Sequence, residues 1–102
     1  MKVSIITISF NSASTIEATI QSVVGQDYGN VEYIIIDGGS KDDTLNVIEK
    51  YKAQIAKIIS EKDDGLYDAL NKGISMATGE VIGLLHSDDV FANNTVISDV
   101  VK

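Results

Sequence analysis

The chain has 102 residues, is 44% hydrophobic, contains no cysteine and carries a formal net charge of −7. That length holds one small domain, and that hydrophobic content supplies a core and argues against disorder. The missing cysteines exclude a disulfide framework, a thiolate metal site and a cysteine nucleophile, while only eight Lys plus Arg exclude a non-specific nucleic-acid binder.

The first strand is expected over Val3–Ser9, a β-branched run suited to a buried parallel strand. A polar turn, Phe10-Asn11-Ser12-Ala13, leads to Ser14-Thr15-Ile16-Glu17, which reads as a capping box. The following helix sets Ile16, Ile20, Val23 and Val24 on one apolar stripe, and Asp27-Tyr28-Gly29-Asn30 ends it. A second strand, Glu32–Ile36, runs into the turn residues Asp37-Gly38-Gly39-Ser40. Asp42 or Asp43 is positioned to cap a second helix carrying Leu45, Ile48, Tyr51 and Ile55 on one side. Lys57–Ser60 is a short third strand, and Glu61-Lys62-Asp63-Asp64-Gly65 is polar. The third helix lines up Leu66, Leu70, Gly73, Ile74 and Ala77, with Gly79 as its C-cap. The fourth strand, Val81–Leu85, ends in His86-Ser87-Asp88-Asp89. Asn93 or Asn94 caps a last helix bearing Val96, Ile97, Val100 and Val101.

The alternation of strand and helix predicts an α/β fold, a Rossmann-like parallel sheet with helices on both faces. In such sheets ligands bind beyond the carboxyl ends of the strands, where the strand order reverses. Three strand ends here carry polar clusters: Phe10-Asn11, Asp37-Gly38-Gly39-Ser40 and His86-Ser87-Asp88-Asp89. Their convergence on one edge marks a binding site.

Several chemistries fail on residue content. Ser9–Ser14 contains no glycine, so a dinucleotide fingerprint is absent, and there is no P-loop or nucleophile elbow. His86 is the only histidine, which removes two-histidine metal sites. Asp88-Asp89 is the remaining cluster. Adjacent carboxylates repel, a cost usually borne for a hard divalent cation such as Mg²⁺ or Mn²⁺, which would turn an acidic pocket into a phosphate site. The plainer reading is that one of the pair caps a turn or the next helix. Asp37 either orders the Gly38-Gly39 turn or accepts a hydrogen bond from a base or ribose. Phe10 is either core or a flank for a base. Asp68 lies early in a helix, where an acid suits the macrodipole. His86 reads as a strand-end residue, and Glu61, Asp63 and Asp64 as a solvated loop.

Four segments together resemble family 2 glycosyltransferases across essentially the whole chain. They are Val3–Asn11; Tyr33–Ser40 with Asp42–Thr44; Asp64-Gly65-Leu66-Tyr67-Asp68-Ala69-Leu70-Asn71-Lys72-Gly73-Ile74; and Ala77-Thr78-Gly79-Glu80 leading to Leu84-Leu85-His86-Ser87-Asp88-Asp89, similar to that family's DXD-type metal motif. The resemblance implies the N-terminal part of a GT-A fold, a nucleotide-diphosphate sugar donor (UDP-sugar by default) and a divalent metal, Mn²⁺ or Mg²⁺. By matching position, Ser9 and Phe10 contact the nucleoside, Asp37 and Gly38 lie near base and ribose, Asp88 near the ribose or sugar, and Asp89 coordinates the metal with Asp88 beside it. Asp68 falls where donor-pocket residues are found. Two positions depart from the family pattern: Asp64 stands where a basic residue is common, and Gly38 where many members have a second aspartate.

The implied reaction is an inverting transfer to an acceptor hydroxyl of a glycan or lipid-linked acceptor, in polysaccharide biosynthesis by analogy. The family's base lies beyond the metal motif, so no catalytic residue is assigned within residues 1–102. The chain is expected to be a single nucleotide-sugar-binding domain, a fragment of a longer enzyme, able to bind a donor without efficient transfer. Self-association through the fourth strand or the last helix is expected. No apolar run approaches the roughly 18 residues of a membrane span, and Met1–Ile6 has no signal-peptide layout. A cytoplasmic location follows, with membrane association open for the longer enzyme. A non-catalytic nucleotide-binding module is the alternative. A phospho-acceptor receiver would need an acidic pair after the first strand, and a sugar-nucleotide pyrophosphorylase a glycine-rich loop there. Phe10-Asn11 supplies neither.

Overall fold

In the computed structural model, which describes residues 1–101, four strands form one parallel sheet in the order β3-β2-β1-β4. They are β1 (Val3–Ser9), β2 (Val31–Asp37), β3 (Lys57–Ser60) and β4 (Val81–Leu84). The connections carry α1 (Ile16–Val24), α2 (Thr44–Glu49) with a 3-10 turn at Lys52–Gln54, and α3 (Leu66–Met76). The last helix, α4 (Val96–Val100), follows β4.

The two central strands bury both faces, which is why their sequences read as continuous apolar runs. Period-2 geometry sends Val3, Ile5, Tyr33 and Ile35 to one side, where they meet Ile16, Ile20 and Val23 of α1, Ile48 near α2's end and Ile97 of α4. Ile6, Ile34 and Ile36 point the other way, against Ala69 of α3. The expected doubly covered parallel sheet is therefore the one that forms. On the α3 side a glycine sets the approach: a Cβ on Gly73 would stand 2.7 Å from Ile6 Cγ2. Only a residue without a side chain lets the helix lie this close to β1.

At the amino end of the sheet sits a buried acid. Ser4 and Glu32 are register partners. Ser4 Oγ donates to Glu32 Oε1 at 2.7 Å, the Thr78 N–H donates to the same oxygen at 2.9 Å, and Thr78 Oγ1 reaches Oε2 at 3.1 Å. Lys57 and Lys2 bring their ammonium groups to 3.4 and 3.6 Å. Burial acts to raise this carboxyl's pKa, but the Thr78, Ser4 and Lys57 hydrogen bonds outweigh it and hold the pKa at about 2.

Local details differ from the sequence expectations where tertiary contacts take over. The Ser14–Glu17 capping box does not form. The Ser12 carbonyl accepts the Thr15 and Ile16 N–H groups, Thr15 is the N-cap, and Glu17 instead accepts a hydrogen bond from Tyr51 Oη at 2.8 Å. The second helix ends at Glu49, leaving Tyr51 and Ile55 outside it. Of the predicted α3 face, Gly73 is buried but Leu66 and Ile74 are 54% and 45% exposed; Ala69 takes the buried position instead. Gly79 is not a C-cap. It packs where a Cβ would lie 2.6 Å from Ser4 Oγ, and its N–H donates to that hydroxyl. At α4, Asn93 Oδ1 accepts from both the N–H and the hydroxyl of Thr95, which is the N-cap.

Candidate functional site

Strand order reverses between β1 and β4, so the crevice beyond their carboxyl ends is the topological switch point. Side chains bring three chain segments together there. Ser12 Oγ and Ser87 Oγ are 2.8 Å apart, linking the loop after β1 to the loop after β4. The loop after β2 is joined to the first by Gly38 N–H to the Ser9 carbonyl (2.9 Å), Asn11 N–H to Ser40 Oγ (2.8 Å) and Lys41 N–H to Asn11 Oδ1 (2.9 Å). Ser12 N–H donates to Thr44 Oγ1 at 2.7 Å. Asn11 has φ +48°, a left-handed turn that asparagine tolerates.

Asp37 is the centre of this edge and is fully buried. Register aligns Ser9, Asp37 and Ser60 across three strands. Ser9 Oγ donates to Asp37 Oδ1 at 2.9 Å and Ser40 Oγ to the same oxygen at 2.5 Å. Oδ2 accepts from Gly39 N–H (3.1 Å), Ser40 N–H (2.8 Å) and Ser60 Oγ (2.9 Å). With five donors on four lone pairs, the carboxylate is saturated by its own protein. Asp42 works similarly one turn later, accepting from the hydroxyl and N–H of Thr44 and the N–H of Ala13; these bonds lower its pKa.

The acidic loop after β4 is held through its backbone and opens its carboxylates outward. Thr19 Oγ1 donates to the Asp89 carbonyl at 2.6 Å, and Asp89 N–H donates to the His86 carbonyl at 3.0 Å. Asp88, Asp89 and His86 are all exposed. Among the described residues no group of three or more His, Cys, Asp or Glu side chains could enclose a metal ion. Asp88 and Asp89 fit a hard divalent ion that takes one or two carboxylates and completes its shell with water and phosphate oxygens.

Phe10 is 59% exposed, so it is no core residue. Its ring stands beside Gly38, and so does the carboxylate of half-buried Asp63. Asp68 sits in the first turn of α3 and accepts from the Asp64 N–H at 2.9 Å, with Lys72 Nζ at 3.5 Å. The Asp64 N–H, then Lys72, lower its pKa. It orders the helix start. The sequence reading assigned no individual role to Ser12, Ser60 and Asp63, nor to Ser40 and Ser87, which it placed only within the polar strand-end clusters. Four are serines whose importance lies in their hydroxyl partners: Ser12 and Ser87 meet between loops, Ser40 bonds Asp37 within one loop, and Ser60 bonds Asp37 across strands, the one pairing that register could have signalled.

The family model described as glycosyl transferase family 2 matches residues 4–102. The chain belongs to glycosyl transferase family 2. An uncharacterised glycosyltransferase of Mycobacterium tuberculosis, Rv1514c, is 43% identical over 101 residues, which make up 98% of this chain and 38% of that protein. The chain thus spans well under half of this relative. The structure of S. aureus TarS 1–349 in complex with UDP-GlcNAc matches with a TM-score of 0.89 at 27% identity, covering 99% of this chain and 30% of that one. Glucosyl-3-phosphoglycerate synthase of Mycobacterium tuberculosis, solved with Mn²⁺, UDP and glucosyl-3-phosphoglycerate, matches with a TM-score of 0.70 at 26% identity, covering 84% of this chain and 33% of that one. Within the family 2 frame, the described residues include no helix long and apolar enough to cross a membrane.

Proposed function

We propose that this chain is the donor-binding part of a glycosyltransferase that moves a sugar from a nucleotide-diphosphate donor to an acceptor hydroxyl, with inversion and with a divalent metal. The observation that carries the reading is the joining of the aromatic loop after β1 to the acidic loop after β4 at the switch point, through Ser12 and Ser87. UDP-GlcNAc in TarS, and UDP with Mn²⁺ in the synthase, support a UDP-sugar donor and Mn²⁺ or Mg²⁺ as cofactor.

In this reading Ser9 and Phe10 border the nucleoside, Gly38 lies beside the base, Asp88 near the ribose or sugar, and Asp89, with Asp88, holds the metal. A bound divalent ion supplies positive charge to the departing diphosphate. The chain's own part is to hold the donor and orient its anomeric carbon; the base that deprotonates the acceptor is not among the residues assigned here. Asp37 acts by fixing the loop that carries Gly38, since its oxygens are already filled. A glycan or lipid-linked acceptor and a cytoplasmic setting complete the proposal.

The test is calorimetric titration with UDP in Mn²⁺ and again in EDTA, on the chain and on Asp89→Ala. Metal-dependent binding that Asp89→Ala abolishes is the expected outcome. Equal binding in Mn²⁺ and EDTA would overturn the metal assignment, and no binding in either would overturn the donor site.

A further inference from the structure

We propose that Asp63, from the loop after β3, is the carboxylate that reads the nucleobase, standing in for the side chain that Gly38 lacks. The inference rests on the donor-site reading above and names the class of base that site takes. A Cβ built on Gly38 would lie 3.1 Å from Asp63 Oδ2 and 3.5 Å from Phe10 Cδ1. The carboxylate therefore borders the place where a side chain at position 38 would begin, beside an exposed aromatic ring. A side chain at 38 would crowd it, forcing the carboxylate to shift.

Three further observations point the same way. Asp37 has five donors and is fully buried, so it offers a ligand no free lone pair. Asp63 Oδ1 is held by the Gly65 N–H at 3.2 Å, while Oδ2 has no hydrogen-bond partner among the described residues. Gly38 is not one of the positive-φ glycines, which are Gly39 and Gly65, so its backbone tolerates a side chain. What position 38 needs is space for Asp63.

A fixed acceptor beside a stacking ring selects by hydrogen-bond polarity. Uracil, thymine and guanine carry an N–H at the middle of the pairing edge; cytosine and adenine carry a lone pair there. The carboxylate favours the first class and repels the second. Phe10 adds stacking, which is tolerant of base identity.

The experiment is titration of the chain with UDP and with CDP in Mn²⁺, for wild type, Asp63→Asn and the exchange variant Gly38→Asp/Asp63→Gly. Wild type is expected to prefer UDP by about tenfold, the size of one hydrogen bond to a charged group. Asp63→Asn keeps an oxygen for the Gly65 N–H and presents an amide donor in place of Oδ2, so the preference should vanish or turn toward CDP. The exchange variant returns a carboxylate to the same space from the other loop and should recover the UDP preference, which a purely structural role for Asp63 would not allow. An undiminished UDP preference in Asp63→Asn would overturn this inference and leave the donor site standing. Failure of the folded exchange variant to recover the preference would overturn it too. Absence of any nucleotide binding by the wild type would overturn the donor site and this inference together.

Discussion

Glu32 gives the stability prediction with the clearest magnitude. Its carboxyl is 7% exposed and titrates at about 2 in the folded chain, against 4.5 for an unperturbed glutamate. The folded pKa is depressed, so its stabilisation is present above the unfolded value and is lost as the pH falls from 4.5 through about 2. A shift of this size corresponds to roughly 3 kcal/mol of folding free energy. Glu32→Gln isolates the effect. The amide keeps one oxygen for Ser4 and the Thr78 N–H, but turns a donor toward Thr78 Oγ1 and leaves Lys57 and Lys2 beside a neutral group. Urea unfolding followed by circular dichroism, on both proteins across this pH range, should show the wild type ahead by about 3 kcal/mol at neutral pH. The gap should close as the medium becomes more acid than the folded pKa. The other carboxylates titrate in both proteins and cancel in the difference. A gap that stays constant across the acid range would refute the reasoning, because a packing defect carries no proton linkage.

Three more outcomes follow from the packing. Asp37→Ala strands the Gly39 and Ser40 N–H groups and should cost about 2 kcal/mol in thermal or urea unfolding. Asp37→Asn should cost less, because an amide oxygen at the Oδ2 site keeps those N–H groups paired while the Ser9 and Ser40 hydroxyls rotate to accept; equal losses would show that charge, not geometry, matters there. Gly73→Ala places a methyl 2.7 Å from the fully buried Ile6 and should destabilise by about 1–3 kcal/mol, with UDP affinity little changed at saturation of the folded form. Self-association is proposed through β4. Val81 and Leu85 donate to the carbonyls of Lys2 and Ile6, so the main-chain groups of Ile82 and Leu84 face away from β1. Their side chains are 45% and 44% exposed, and Leu84 also lines an apolar cavity of about 120 Å³ with Val81, Gly83, Phe91 and α4. Sedimentation should show dimers that Ile82→Lys disperses, and a clean monomer at high concentration would count against the proposal.

The parts legible in the sequence were those set by periodicity. The four strands, their order of appearance and the two-sided burial followed from β-branched runs alternating with apolar stripes, and each of the four helices starts at or next to its predicted stripe, although the second stops at Glu49 before Tyr51 and Ile55. What the sequence hid was set by register. Ser9, Asp37 and Ser60 are separated by dozens of positions, and only the parallel pairing of three strands makes them neighbours. The cap at Ser14 failed for a different reason: the local motif was complete, but the chain turns earlier, with the Ser12 carbonyl accepting from Thr15 and Ile16, and Tyr51 engages the Glu17 carboxylate the box would have used. Asp63 read as solvated loop because its partner, Gly38, is a glycine and announces nothing by its chemistry.

Strand β2 carries a buried acid at each end, and both are filled by serine or threonine hydroxyls and loop N–H groups. The two differ in what they hold. Glu32 ties the turn between α3 and β4 to the amino end of the sheet, and two lysines neutralise it. Asp37 ties the loops after β1, β2 and β3 at the carboxyl end and has only neutral donors, so its negative charge stays local to the binding edge. Asp42, Asp63, Asp88 and Asp89 lie on the loops of the same edge, against the lysines Lys41 and Lys62, so a divalent cation would offset the repulsion that an anionic diphosphate meets from these carboxylates. This charge balance favours the metal dependence proposed for donor binding. It predicts that raising ionic strength in EDTA, which screens the repulsion without supplying a bridging ion, will not substitute for Mn²⁺.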